Sequence, residues 1–291
     1  MNNTICHLTK QKNYVIIKEK RGATNDKVGK HVIEFGKFAD GTCKVNIDCS
    51  TFQPNDPIIW LYDNDDELMK VWFLVQHCRD HEGYRRALSI PFLPNSRQDR
   101  VVNDNDVFTL KYFSQMINAL HFDRVDTFDV HSDVASALIN HIHVLSPVPI
   151  VQEVLDKLPN TLLCFPDEGA MARYRGQFPI PTIYGIKSRN WRTQKVEELV
   201  LCGATERAKD RDILIIDDIC GKGSTIFHMA KQLKDLGANN IYVYVSHCEN
   251  TVLQPCIHGK SLLDYDLVTK LFTTNSIFRK EHQKIEIIHQ F

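Results

Sequence analysis

The nine cysteines of this 291-residue chain form no Cys-x-x-Cys pair, and none sits at zinc-finger spacing from a histidine. An odd, unpatterned count of this kind reads as reduced thiols rather than a disulfide framework or a structural zinc site. A basic surplus is also missing. The formal net charge is -1, so no nucleic-acid partner is expected, although a local basic pocket for phosphates is compatible with it. The opening Met1-Asn2-Asn3-Thr4 is not a basic stretch followed by an apolar block, so a signal peptide is not expected. The longest uncharged run, Val134 to Gln152, carries two His, two Pro and an Asn. It is too polar and too broken to cross a bilayer, so no membrane partner is expected. Low-complexity segments and short repeats are absent. What remains is 43% hydrophobic and 24% charged, the composition of a packed, cytoplasmic globular protein rather than a disordered one.

Short β-rich runs precede amphipathic stretches, the alternation expected of an α/β fold with largely parallel sheets. Strands are expected at Val32–Phe38 and Cys43–Ile47 around an Ala-Asp-Gly turn, then at Pro57–Tyr62, Leu88–Leu93 and Val125–Val130. Helical spacing covers Glu67–Cys78 and Val107–Leu120, with a short helix near Ala135–Asn140. Pro147 and Pro149 interrupt the pattern, which places a domain boundary there: residues 1–146 and 147–291. The second half repeats the theme with strands at Thr161–Phe165, Thr182–Ile186, Asp212–Ile216 and Ile241–Ser246. A helix from Ser224 to Leu236 stops at Gly237. Residues Asn190 to Arg211 read as a long polar connection of the kind that often forms a mobile functional loop.

The most informative segment runs from Asp212 to Thr225. An apolar strand delivers Asp217 and Asp218 at its C-terminal end, where open α/β sheets place their ligand crevice. Adjacent carboxylates repel, so the pair needs a purpose: accepting hydrogen bonds from vicinal hydroxyls, or holding a cation. The turn Gly221-Lys222-Gly223-Ser224-Thr225 then opens a helix, whose N–H groups and positive dipole end suit a phosphate. It is not a Walker A loop, because Gly223 follows Lys222 where Ser or Thr is required. Nor is it a G-x-G-x-x-G fingerprint, since Ile226 holds the last Gly position. An ordinary turn and helix cap is the competing reading.

This segment resembles the phosphoribosyl-diphosphate motif shared by type I phosphoribosyltransferases and phosphoribosyl-diphosphate synthetases. Further motifs favour the synthetases. Phe92-Leu-Pro-Asn-Ser-Arg-Gln-Asp-Arg100 resembles their ATP-binding loop, which puts Arg97, Gln98, Asp99 and Arg100 at the nucleotide. The two arginines offer planar donors to phosphate, and Gln98 can read a base edge. Phe35-Gly-Lys-Phe-Ala-Asp-Gly-Thr42 is similar to the family's early hairpin, which reaches the adenine of a neighbouring subunit. Phe38, Asp40 and Gly41 match, while Thr42 stands where the family usually has Glu. Asp129-Val-His131 and Phe165-Pro-Asp-Glu-Gly169 resemble its metal motifs, making Asp129, His131 and Asp167 candidates for Mg²⁺. Lys187-Ser-Arg189 matches the start of its catalytic loop, with Lys187 and Arg189 stabilising the transferred diphosphate.

The resemblance runs in family order from about Val32 to His247. It implies two similar domains of the type I phosphoribosyltransferase-like fold, a synthetase domain with the ATP loop and a second domain with the ribose-phosphate motif. It also implies a homo-oligomer that shares its adenine site, and transfer of the diphosphate of MgATP to the C1 hydroxyl of a ribose 5-phosphate moiety. The family's phosphate loop usually reads Asp-Thr-Gly-Gly-Thr. Here an acid is lost at Gly221 and a cation gained at Lys222, a smaller and more positive loop that favours ADP-ribose as acceptor, with ribose 5-phosphate the other candidate. A branch of the family diphosphorylates ADP-ribose in phage-encoded NAD⁺ rebuilding. A catalytically silent regulatory paralogue and a phosphoribosyltransferase are the alternatives. The chain also departs at its C-terminus, where a strand-like Lys284–Phe291 replaces the family's closing helix.

Overall fold

Apolar runs separated by amphipathic stretches build two largely parallel sheets in the computed structural model, which describes residues 15–17, 31–32, 35–46, 57–80, 87–174, 176–189 and 196–291. The chain divides into one unit of residues 1–146 with Phe291 and another of residues 147–290. No helix among the described residues is long and apolar enough to cross a membrane.

In the first unit the strands are β1 (Val15–Ile17), β2 (His31–Val32), β3 (Phe35–Lys37), β4 (Cys43–Val45), β5 (Ile58–Trp60), β6 (Ala87–Ser89), β7 (Arg124–Phe128) and β8 (Ile142–Leu145). Six of them pair in the order β2-β1-β5-β6-β7-β8, every pairing parallel, while β3 and β4 form a separate antiparallel hairpin. Helix α1 (Glu67–Asp80) buries Val71, Leu74, Val75 and Cys78, the three- and four-residue spacing of one face. Its first-turn Glu67 is itself buried, and Oε2 accepts hydrogen bonds from Trp60 Nε1 and the Asp63 N–H, both at 2.9 Å. Those two donors are what make a buried carboxylate tolerable at this helix start. Helices α2 (Thr109–Asn118) and α3 (Val134–Leu138) complete the unit.

The second unit contains β9 (Leu162–Phe165), β10 (Thr182–Arg189), β11 (Val196–Gly203), β12 (Ile213–Cys220), β13 (Ile241–Cys248), β14 (Lys270–Thr274) and β15 (Ile285–Ile288). They pair in the order β11-β10-β9-β12-β13-β14-β15, and only β10 and β11 run antiparallel. Residues Ile213–Ile216 of β12 are all fully buried, as a central parallel strand covered on both faces requires. Helices α4 (Val148–Asp156), α5 (Glu168–Tyr174) and α6 (Ser224–Asp235) join them. Helix α6 buries Ile226, Phe227, Met229, Ala230 and Leu233. It stops at Gly237, whose φ of 85° and the Ala238 N–H bond to Leu233 O (3.0 Å) form a Schellman-type end.

Several expectations change. The connection Asn190–Arg211 is not a loop throughout: β11 occupies Val196–Gly203, pairing with β10, and a 3₁₀ turn follows at Thr205–Arg207. Residues 190–195 lie outside the described set, as do residues 33–34 and 47 of the two strands expected early in the chain. Pro147 and Pro149 do not merely interrupt the pattern. Pro147 caps α4 and Pro149 sits in its first turn, where a missing N–H costs nothing. The strand expected over Leu88–Leu93 ends at Ser89, just ahead of Pro91, which cannot donate to a ladder. The sequence pattern does not anticipate β1, β8 or β14. The strand-like C-terminus is β15, parallel to β14.

Gly185 lets β10 lie against the end of β9: a Cβ there would stand 2.6 Å from Pro166 O and 2.8 Å from Leu199 Cδ1. Gly185→Ala should therefore lower the urea unfolding free energy by about 1–3 kcal/mol, the cost of overpacking a closed site. An unchanged unfolding midpoint would contradict this close approach.

Candidate functional site

The strand order of the second unit reverses between β9 and β12, and open α/β sheets bind ligands outside the carboxyl ends of strands at such a switch point. β12 pairs with β9 from Ile213 to Ile215 and no further. Asp217 and Asp218 therefore lie beyond the paired part of β9, still extended and still held by β13 on the other side. Asp167 follows the end of β9, and its Oδ1 accepts the Ala170 N–H at 2.9 Å, fixing the carboxylate at the start of α5.

These three acids are brought together, and their charges are felt. Burial pushes the Asp217 carboxyl well above the usual carboxylate range, and the neighbouring charges of Asp218 and Asp167 push it further. The Asp218 N–H donates to Asp217 Oδ1 at 3.0 Å and works in the opposite sense. Asp218 is 2% exposed and accepts a hydrogen bond from Arg173 Nη2 at 3.2 Å. Sequence reasoning missed Arg173. It pairs across 45 residues, and only the folded position of α5 connects the two.

The turn at 221–225 has the features an anion needs. Gly223 is the residue before α6, with φ of 81°, and no side chain caps the helix. The first N–H groups of the helix are thereby left for a ligand. Gly223 is required twice over, since a Cβ there would stand 2.6 Å from Leu262 Cδ2. Lys222 and Ser224 are exposed, and Gly221 and Thr225 are partly buried. The room expected at Gly221 is taken: Glu249 Oε2 lies 3.3 Å from where its Cβ would be. The loop is therefore neither emptier nor as positive as its letters suggest. Lys187 and Arg189 lie on β10, past the Tyr184–Phe165 pairing with β9, in the part that pairs only with β11.

In the first unit the candidate nucleotide loop follows β6. Arg97, Gln98 and Arg100 are exposed and Asp99 is buried. Arg100 grips Asp99 with Nε (2.6 Å) and Nη2 (2.8 Å), while Gln98 Oε1 accepts from Thr109 Oγ1 at 2.9 Å. The Arg100 hydrogen bonds, joined by the charge of Arg100 and to a smaller extent that of His131, hold the Asp99 carboxyl down at about 2 against its burial. His131 is thus brought near the loop. It is exposed, whereas Asp129 is buried in a left-handed conformation with φ of 41°. In the β3–β4 hairpin Phe38 is 53% exposed at the turn, and Gly41 adopts φ of 86°. Thr42 donates to Asp40 Oδ1 through its N–H (3.0 Å) and Oγ1 (2.7 Å), which lowers the Asp40 carboxyl's affinity for protons.

Among the described residues no three His, Cys, Asp or Glu side chains converge as a ready-made cation cage. Mg²⁺ needs no such cage when phosphates and water supply most of its oxygens. Asp167, within electrostatic reach of an Asp217 already crowded by negative charge, fits a cation held by one or two carboxylates.

No family model matches the chain. A ribose-phosphate pyrophosphokinase from Pyrococcus furiosus is 26% identical over 239 residues, covering 79% of this chain and 80% of that protein. Another, from Staphylococcus haemolyticus, is 27% identical over 281 residues, covering 89% and 82%. Among solved structures, the phosphoribosylpyrophosphate synthetase of Mycobacterium smegmatis matches with a TM-score of 0.73 at 15% identity. That match covers 88% of this chain and 85% of that one, and it speaks to the shared fold.

The Asp99 pair makes a prediction about acid. A carboxyl depressed from about 3.9 to about 2 adds stability above the higher value, and that stability is lost as pH falls through the lower one. Thermal unfolding followed across this window should show a step in the wild type that Asp99→Asn lacks. Superimposable acid profiles would show that the pair carries no net stability.

Proposed function

We propose, from the chain's similarity to ribose-phosphate pyrophosphokinases over most of its length, that it belongs to that family and transfers the β,γ-diphosphate of ATP to the C1 hydroxyl of a ribose 5-phosphate moiety, releasing AMP. The observation that carries the reading is the juxtaposition in the second unit: paired carboxylates Asp217 and Asp218 at a strand-order reversal, followed directly by an uncapped helix start. A ribose phosphate has the complementary layout, with vicinal hydroxyls at one end and an anion at the other.

On this reading Asp217 and Asp218 accept the ribose hydroxyls, with Arg173 holding Asp218 in place. The N–H groups at the start of α6, with Ser224 and Thr225, bind the 5-phosphate. Transfer between phosphates depends on positioning and charge stabilisation rather than covalent help from the protein. Lys187 and Arg189 supply that charge at the migrating diphosphate. Arg97 and Arg100 bind ATP phosphates and Gln98 meets the base. Phe38, on its exposed turn, lies against the adenine of a neighbouring copy. Asp167 is the residue of the second unit that would hold Mg²⁺, and Asp129 and His131 are the separate candidates of the first; a bound ion would supply neutralisation of phosphate charge.

The acceptor is ribose 5-phosphate or ADP-ribose. The second is favoured by Lys222, an exposed cation beside the phosphate turn that a longer, more anionic 5-substituent can use. Purified protein with MgATP and either acceptor should release AMP in step with a diphosphorylated product. Lys187→Ala should lower kcat on the order of 10²–10³-fold, the scale of losing one preorganised donor. ATP binding with no AMP from either acceptor would instead mark a regulatory binding protein.

A further inference from the structure

Glu249 is absorbed by none of the roles above, yet its carboxylate lies directly on the phosphate turn. It follows the end of β13, and its N–H donates to Cys220 O at 2.8 Å, which ties it to the last residue of β12. Thr251 Oγ1 donates to Glu249 Oε2 at 2.8 Å, fixing the carboxylate. Both carboxylate oxygens then face Gly221, with Oε2 at 3.3 Å and Oε1 at 3.8 Å from the site a Cβ would take. Any side chain at 221 would compete for that volume, so the glycine and the glutamate are one arrangement.

We propose that Glu249 determines specificity for the 5-substituent, making the turn prefer a phosphate of single charge, one link of a diphosphate, over a terminal phosphomonoester. The inference rests on the functional reading above and deepens it. A terminal phosphomonoester carries close to two charges near neutral pH, because its second pKa is about 6. A phosphate whose outer oxygen is esterified onward carries one. A fixed carboxylate at Gly221, the first residue of the turn that receives the phosphate, repels the dianion more than the monoanion, and partial burial weakens solvent screening of that difference. Lys222, exposed at the next position, lies where the second phosphate of a diphosphate could use it.

The test compares wild type, Glu249→Gln and Glu249→Ala. Dissociation constants for ribose 5-phosphate and ADP-ribose are measured by calorimetry at low salt, and AMP release is followed in parallel. Both variants should tighten ribose 5-phosphate by about tenfold and ADP-ribose by less than about threefold, so the ratio shifts toward the monoester. An unchanged ratio, or a shift the other way, overturns the assignment to Glu249 whether or not AMP is released. Absence of AMP with a shifted ratio would instead overturn the catalytic reading and leave the assignment standing. If wild type binds neither ligand, both fall.

Discussion

Two adjacent carboxylates at the mouth of a buried strand repel each other, and much of the second unit is arranged around that repulsion. β12 is covered on both faces along Ile213–Ile216, then loses β9 as a partner just before Asp217. Burial and the charges of Asp218 and Asp167 drive the Asp217 carboxyl toward its protonated form, while Arg173 reaches from α5 to Asp218. Such a cluster is costly for the fold alone, and strained electrostatics of this kind gather where ligands bind. A ribose that donates hydroxyl hydrogens, or a cation that offsets the charge, relieves the same term that folding leaves unfavourable. Site and fold are therefore parts of one energetic problem.

The turn next door offers donors instead of acceptors, and for a different reason. The uncapped start of α6 depends on Gly223, whose left-handed backbone and tight approach to Leu262 exclude a side chain. Helix packing through Ile226, Met229, Ala230 and Leu233 holds those N–H groups in place. Along a few residues the chain thus moves from an acceptor surface to a donor surface, as a sugar phosphate demands. Glu249 inserts a negative charge from the neighbouring strand at the boundary between them.

Much of this was legible in the letters, and the limits are physical. The apolar run Ile213–Ile216, the helix from Ser224 to the Gly237 stop, and the Phe38–Gly41 turn depend on local propensity and pattern, so they could be read directly. β11 could not, because its polar flanks hide a strand that exists only through its pairing with β10. α4 was obscured by prolines that favour a helix start as readily as a break. Arg173 and Glu249 were invisible for another reason: each acts on a residue far along the chain, 45 residues away for Arg173. Glu249 also changes how Gly221 must be read, since a lost side chain suggested room and the folded chain fills it.

On the proposed reading the turn after β12 receives the phosphate while the two carboxylates hold the sugar. Backbone amide NMR of isotopically labelled protein during a titration with ribose 5-phosphate tests it most directly. Saturable shifts should centre on residues 217–226, and in Asp217→Asn/Asp218→Asn they should persist but saturate later. Shifts centred elsewhere, with the amides of Gly223, Ser224 and Thr225 unmoved, would contradict it.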